Sequence, residues 1–370
     1  MLLVSKGQVL AVHYENPEIQ ELLVQVENKP LPMKAYNYLG LNRKLAADDR
    51  VTLNTTAVEL GLGTGGCHFV VPDSDYSHTA ADGHIMKLRY TPWQFSVLAA
   101  EEAASPFHEG LIEASSLNGT PVIIAPLHSM LPGAILGFMS SLEYTPKIAY
   151  IMTDAAALPI ALSGLVRELK AKRLLDLTIT TGQAFGGDLE AVSIPSALLT
   201  AYQAVKPDLI IVALGPGVVG TGTKFGFSGI EQSWVIDLTT RLGGIPVAVP
   251  RVSFADQRER HQGISHHSLT ILGLANHPAL IGLSADLTGD QLEGIKKLIK
   301  KDNLMDRHQW YLFKETNDLL NLFQEYDLQV TTMGRGIKED PWFFRHTIIS
   351  GIIAGLAGTD RLGSLSRLME

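Results

Sequence analysis

Between Ser253 and Ser268 the chain reads SFADQRERHQGISHHS, which places Asp256, Arg258, Glu259, Arg260, His261, His266 and His267 within a dozen residues. Core packing does not call for that density of charge and imidazole. Arginine presents paired N–H donors that match carboxylate and phosphate oxygens. Histidine titrates near neutrality and is the commonest acid–base side chain. The stretch is therefore expected to bind an anion on Arg258 and Arg260 while Asp256, with His266 or His261, exchanges a proton. A metal reading stands beside it: His261, His266, His267, Asp256 or Glu259 would ligate, completed by His84, His128 or Asp154. The segment has no HxH, HxxxH or HExxH spacing, and neighbouring histidines on a helix are expected to diverge. In the plainest reading Ser265 caps the following helix and the charges form a solvated turn.

A second stretch, GPGVVGTGTKFGFSG at 215–229, precedes this one and follows an apolar run ending at Leu214. Glycine lets backbone N–H groups approach an anion, and a helix start adds a favourable dipole. Gly215, Gly217, Gly220, Thr221, Gly222 and Thr223 are the candidate ligand-binding positions, with Lys224 a further point charge. The loop contains GxGxxG from Gly215 to Gly220, but Pro216 interrupts it and no helix opens promptly. It also lacks the GK[ST] ending of a Walker loop. A structural glycine turn is the alternative.

From about residue 120 onward, short apolar runs alternate with amphipathic segments. PVIIAP, KIAYIMT, LLDLTITT, DLIIVAL, PVAVPRVSF, ALIGLS, QWYLFK and LQVTT read as strands. A long helix is expected over DAAALPIALSGLVRELKAK, and further helices near 194–205 and 230–242, over about 266–274, in DQLEGIKKLIKK and ETNDLLNLFQEY, and in PWFFRHTIISGIIAGLAG. This alternation predicts parallel strands with βαβ crossovers. In an open parallel sheet, ligands bind outside the carboxyl ends of the strands. Those ends carry His128 and Ser129, Thr153 and Asp154, Gln183, the glycine loop, Asp256 and Arg335. Asp154 and Gln183 thereby join the candidate ligand-binding set. Ser129, His128 and Asp154 have the residue types of a hydrolase triad but not its usual order. Asp340-Pro341 reads as an ordinary helix start.

Residues 1–90 read as a β-rich domain, barrel or sandwich-like, and residues 91–370 as a Rossmann-like, parallel-sheet α/β domain with a strand-end ligand cleft. LLVS and QVLAVHY read as separate strands divided at Lys6-Gly7. The cluster Gly61, Gly63, Gly65 and Gly66 leads into a strand, so it reads as turns rather than a phosphate loop. Thr91-Pro92-Trp93-Gln94 has the form of a capping box and predicts a helix running to about Ala104.

The chain has 370 residues, 46% hydrophobic and 18% charged, with net charge −8. That composition supports a sizeable core and argues against disorder. With no basic run, nucleic acid is not an expected partner. No apolar run is long enough to predict a bilayer span or a signal peptide. The single cysteine, Cys67, has no partner for an intrachain disulfide and reads as a buried small residue. A cytoplasmic protein with a small-molecule ligand and a possible homo-oligomeric state is expected; no cofactor is specified.

The motifs TGGxHFV, DGHIMKLRYTPxQ, MTDxxALP, GQAFGGDLEAV, GPGxVGTGTxxGFSG, SFADxRERHxGxSHHS and TMGRG together resemble a bacterial, mainly Gram-positive family, the domain of unknown function 3866. The resemblance spans essentially the whole chain. It implies a bacterial cytosolic setting and carries over no catalytic residue. The residues themselves point to an enzyme acting on a small phosphate- or carboxylate-bearing metabolite. A non-catalytic ligand sensor or regulatory protein, and a metal-dependent hydrolase, are the alternatives.

Overall fold

The structure is a computed structural model that describes residues 2–61, 66–73 and 83–368. Gly63, Gly65 and most of the 72–83 loop lie outside the described residues. The chain divides into two compact units, Met1–Leu98 with Pro159–Gly164, and Ala99–Leu158 with Leu165–Glu370.

The first unit contains a closed five-stranded barrel of β1 (Val4–Glu15), β2 (Ile19–Val26), β3 (Met33–Tyr38), β4 (Arg50–Asn54) and β5 (His68–Val70), ordered β1-β2-β3-β5-β4. Only β3 and β5 pair in parallel. Alternating residues such as Val9, Leu22, Val24, Ala35 and Leu53 fill its interior, as a half-buried strand requires. The expected break at Lys6-Gly7 does not occur. Gly7 lies inside β1 and pairs with both Val26 and Val51. A single turn, α1 (Thr56–Glu59), precedes β5.

The helix expected from Thr91 to Ala104 is also not formed. Residues 88–94 instead connect a hairpin of β6 (Ile85–Lys87) and β7 (Phe95–Val97). The capping-box side chains make their local bonds: Tyr90 N donates to Gln94 Oε1 and Trp93 N to Thr91 Oγ1. Both bonds are displaced from those of a capping box, which would use Thr91 N and Gln94 N as donors, and they fit a tight turn closed by the cross-strand pairing of Phe95–Val97.

The second unit is built on a nine-stranded sheet. In chain order, its elements begin with α2 (His108–Ile112), β8 (Pro121–Ala125), α3 (Leu131–Ser140), β9 (Ile148–Thr153), α4 (Gly164–Ala171), β10 (Leu177–Thr181) and β11 (Leu189–Ala191). Then come α5 (Ile194–Val205), β12 (Leu209–Leu214), α6 (Gln232–Arg241), β13 (Ile245–Ala248), the small pair β14 (Val252–Ser253) and β15 (Gly263–Ile264), and α7 (His266–Leu274). The chain closes with β16 (Leu280–Ser284), α8 (Gly289–Lys301), β17 (Gln309–Phe313), α9 (Asn321–Glu325), α10 (Pro341–Gly358) and β18 (Ser366–Arg367). The sheet order is β11-β10-β9-β12-β8-β13-β16-β17-β18, and every pair is parallel except β17 with β18.

Strands β8, β9, β10 and β12 are buried along their whole length, which is why they read as continuous apolar runs. The α3–α10 pair covers one face, with α10 lying over β8, β13 and β16, and α5 with α6 covers the other. Three expected elements are shorter. The helix over 154–172 is confined to Gly164–Ala171, because residues 154–159 form the loop after β9. The LQVTT strand is reduced to a Thr332–Arg335 bridge, and ETNDLLNLFQEY to α9. Pro250 ends the PVAVPRVSF run, so β13 and β14 are separate strands.

The connections that leave the neighbouring strands β8 and β12, to β9 and to β13, run in opposite directions across the sheet. This is the topological switch at which open α/β sheets form a crevice. The loops after β8, β12 and β13 meet at that edge.

Candidate functional site

Residues 215–229 leave the end of β12 with Gly215 buried and the tip exposed. Residues 219–228 fold back as a narrow hairpin. Thr221 N donates to Gly226 O at 2.8 Å, Ser228 N to Val219 O at 3.0 Å, and Gly226 N to Thr223 Oγ1 at 3.1 Å. Gly217 and Gly222 adopt φ of 98° and 79°, which places the bends. The hydroxyls of Thr221 and Thr223 lie 3.0 Å apart within the loop. The loop thus spends several backbone donors on itself, unlike an anion cradle whose donors all point outward.

What the loop reaches is the histidine segment. Phe227 stacks on His267 with centroids 4.1 Å apart and planes at 12°. Gly220 faces the same ring: a Cβ there would stand 3.6 Å from His267 Cε1. Ser265 caps α7, its Oγ accepting from His267 N at 3.3 Å. The rings of His261, His266 and His267 cluster with centroids 4.9, 5.4 and 4.1 Å apart. The adjacent His266 and His267 therefore do not diverge. They sit in the first turn of α7, between Phe227 on one side and His261 on the other.

The hydrogen-bond network assigns the His261 tautomer. Arg251 Nη1 lies 3.1 Å from His261 Nδ1, and arginine can only donate, so Nδ1 accepts and the proton sits on Nε2. Ser265 Oγ lies 2.8 Å from the same nitrogen and donates to it while accepting from His267 N. Burial first, then the nearby arginines, push His261 down to about 3. Burial and the neighbouring His266 push His267 down to about 4, and burial lowers His266 as well. All three imidazoles are neutral at pH 7. His266 Nε2 is buried and has no hydrogen-bond partner. Among the described residues no group of three or more His, Cys, Asp or Glu is arranged to hold a metal ion. Neither His84, His128 nor Asp154 completes one.

Asp256 lies at the centre of an arginine cluster. Its Oδ2 accepts from Arg251 Nη2 and Arg258 Nη2, each at 2.8 Å, and its Oδ1 accepts from Arg258 Nε at 2.9 Å and Arg258 N at 3.1 Å. Arg335 Nη2 stands 3.7 Å from Asp256 Oδ2, and Arg335 Nε donates to Asp340 Oδ2 at 3.1 Å. The Arg258 guanidinium above all holds the Asp256 carboxyl far below the usual carboxylate range. A carboxylate so stabilised is a weak base. Its geometry is that of a counter-ion that positions arginines, not the proton acceptor expected from the sequence. Arg260 is exposed, and its charge contributes to lowering His266 and His267.

Other expected members form separate groups. Asp154 Oδ2 accepts from Gln183 N at 2.8 Å, tying the ends of β9 and β10 together. His128 Nδ1 lies 3.2 Å from Leu214 O, and Ser129 Oγ donates to Thr332 Oγ1 at 3.2 Å, so Ser129 and His128 do not form a nucleophile–base pair. Asp340 does not cap α10 with its side chain; it holds Arg335 and Ser253 instead.

Two residues outside the expected set stand out. Arg251 is 7% exposed, and its one sequence signal is a charge inside the apolar run PVAVPRVSF. Glu231, at the end of the glycine loop, accepts from Thr153 Oγ1 and from Gln232 Nε2. Burial first, with Asp154 nearby, raises its carboxyl to about 7. In the sequence it resembles any acid near a helix start.

The second unit is thus an α/β unit on a large, mostly parallel sheet, with an arginine–histidine cluster at the carboxyl edge of that sheet. The chain belongs to the family described as protein of unknown function (DUF3866), which matches residues 34–351. No curated protein matches it. Among the described residues no helix is long and apolar enough to cross a membrane.

Proposed function

We propose that the chain binds a small anionic metabolite, carboxylate- or phosphate-bearing, at the arginine cluster beside His266, and that His266 is the group placed to exchange a proton with it. The observation that carries this reading is the charge balance around Asp256. Three guanidinium groups, Arg251, Arg258 and Arg335, meet two carboxylates, Asp256 and Asp340, leaving one positive charge without a counter-ion within the group. A surplus guanidinium charge at a partly buried cluster favours an anion that completes it. Arg258 is 45% exposed and opens the cluster to solvent. The neutral His266 with its unpartnered Nε2 has the protonation state of a general base at pH 7. The glycine loop supports the site by stacking Phe227 on His267.

The test is a thermal-shift titration with inorganic phosphate and with succinate. An anion that binds the folded state raises the melting temperature as its concentration passes Kd. The shift is expected in the wild type and lost in Arg258→Gln and Arg335→Gln. An undiminished shift in both variants would place the anion elsewhere.

A further inference from the structure

Arg335 and Asp340 are joined by one hydrogen bond where a guanidinium and a carboxylate commonly make two. Arg335 Nε donates to Asp340 Oδ2 at 3.1 Å, and Ser253 Oγ donates to that same oxygen at 2.8 Å. The second donor and the second acceptor are left over. Arg335 Nη2 and Asp340 Oδ1 are both buried, and neither has a hydrogen-bond partner. Arg335 Nη2 stands 3.7 Å from Asp256 Oδ2, beyond hydrogen-bond reach. Asp340 itself is 1% exposed.

The two leftover atoms ask for opposite things. Nη2 can only donate, and a carboxylate oxygen can only accept. A ligand carboxylate or phosphate oxygen would satisfy Nη2 and be repelled by Asp340. An ammonium would satisfy Asp340 and be repelled by the arginines. A hydroxyl accepts and donates at once, and so meets both demands with one atom.

Resting on the anion-binding reading above, we propose that the ligand presents a hydroxyl to Arg335 and Asp340, beside the anionic group drawn by the surplus charge of the arginine cluster. The ligand class is a hydroxy-carboxylate or a polyol phosphate, which share that chemistry. A site built around a ligand hydroxyl discriminates strongly against the analogue that lacks it, because its buried polar groups are then left unpaired.

The experiment is calorimetric titration of the full chain with two matched pairs, malate against succinate and glycerol 3-phosphate against propyl phosphate. The hydroxylated member of one pair is expected to bind about tenfold tighter or more, and which pair responds separates the carboxylate from the phosphate source. Asp340→Asn and Arg335→Lys are expected to reduce that preference. Arg335→Lys keeps the charge but loses the planar second donor, so the affinity ratio within the responding pair should fall towards one. Equal binding within both pairs, or a preference that survives both variants, overturns the hydroxyl. A response to inorganic phosphate without a gain for either hydroxylated compound overturns the hydroxyl alone. No binding by any of the five compounds overturns the anion reading beneath it.

Discussion

Phe227 and His267 stack with ring centroids 4.1 Å apart and planes at 12°, and that contact joins two loops that leave adjacent stages of the fold. Phe227 closes the glycine hairpin after β12, and His267 opens α7 after the β13 excursion. The aromatic face shields the imidazole from water and contributes to keeping it neutral. The glycine loop therefore acts on the site through a side chain.

Replacing Phe227 with alanine tests this directly. Phe227 is 4% exposed, and truncation of a buried phenylalanine costs about 3–5 kcal/mol. Water entering the vacated space relieves the desolvation that lowers His267, so its titration should rise from about 4 towards its ordinary 6.5. Proton NMR of the imidazole follows this residue by residue. A His267 midpoint unmoved in Phe227→Ala would mean the stack does not set its protonation.

Asp256→Asn probes the arginine cluster. The change keeps the shape but strands Arg251, a guanidinium 7% exposed, without its counter-ion. Breaking a buried pair from one side costs about 3–5 kcal/mol, whereas Arg258→Gln, at a half-exposed position, should cost about 1 kcal/mol or less. Urea denaturation of both variants gives the comparison. Equal losses would show that Arg251 does not depend on Asp256.

The sequence shows the β-rich start, the parallel sheet and the meeting of two strand-end loops, because buried parallel strands such as Leu209–Leu214 appear as unbroken apolar runs. It does not show which way a short polar motif resolves. Thr91–Gln94 has the residues of a capping box yet closes a hairpin, since the deciding pairing, Lys87 with Phe95, spans the turn. Arg251 was hidden inside a strand-like run, and Glu231 gains its character only from Thr153, distant in sequence. Asp256 looks like a base until its three arginines are placed around it.

The α3–α10 contact makes a steric prediction. A Cβ on Gly351 would lie 2.2 Å from Ala134 O, and one on Gly137 would lie 1.9 Å from Ile348 O. These are backbone atoms, so the helices themselves would have to separate. Gly351→Ala and Gly137→Ala are each expected to cost about 1–3 kcal/mol or more, despite alanine's better helix propensity. Gly294→Ala in α8, where a Cβ meets nothing within 4 Å, should instead gain about 0.5–1 kcal/mol. Chemical denaturation of the three variants decides it, and a neutral Gly351→Ala would rule out the close crossing.

Stability should depend on pH in two opposing ways. His128, His267 and His346 are pushed by burial to about 4, and His261 to about 3. The unfolded chain, with histidines near 6.5, binds more protons than the folded chain below that pH. Histidine-linked stability is therefore fully present above about pH 6.5 and is lost as pH falls towards 4, at up to about 1.4 kcal/mol per pH unit for each group. Glu231 works the other way. Its carboxyl is raised from 4.5 to about 7, so the folded chain binds the extra proton, and the stability this gives is lost as pH rises through 7. The full linkage is on the order of 3 kcal/mol. Because several histidines oppose one glutamate, net stability should climb from pH 4 to about 6.5 and then level off towards pH 8. Glu231→Gln replaces the acid with a neutral isostere, so the variant should match wild type near pH 4.5 and exceed it at pH 8. Melting temperatures of both proteins across that range provide the test. A Glu231→Gln curve parallel to wild type would show that Glu231 is already ionised at the lower pH, and that Thr153 and Gln232 stabilise its charge instead of the neutral acid.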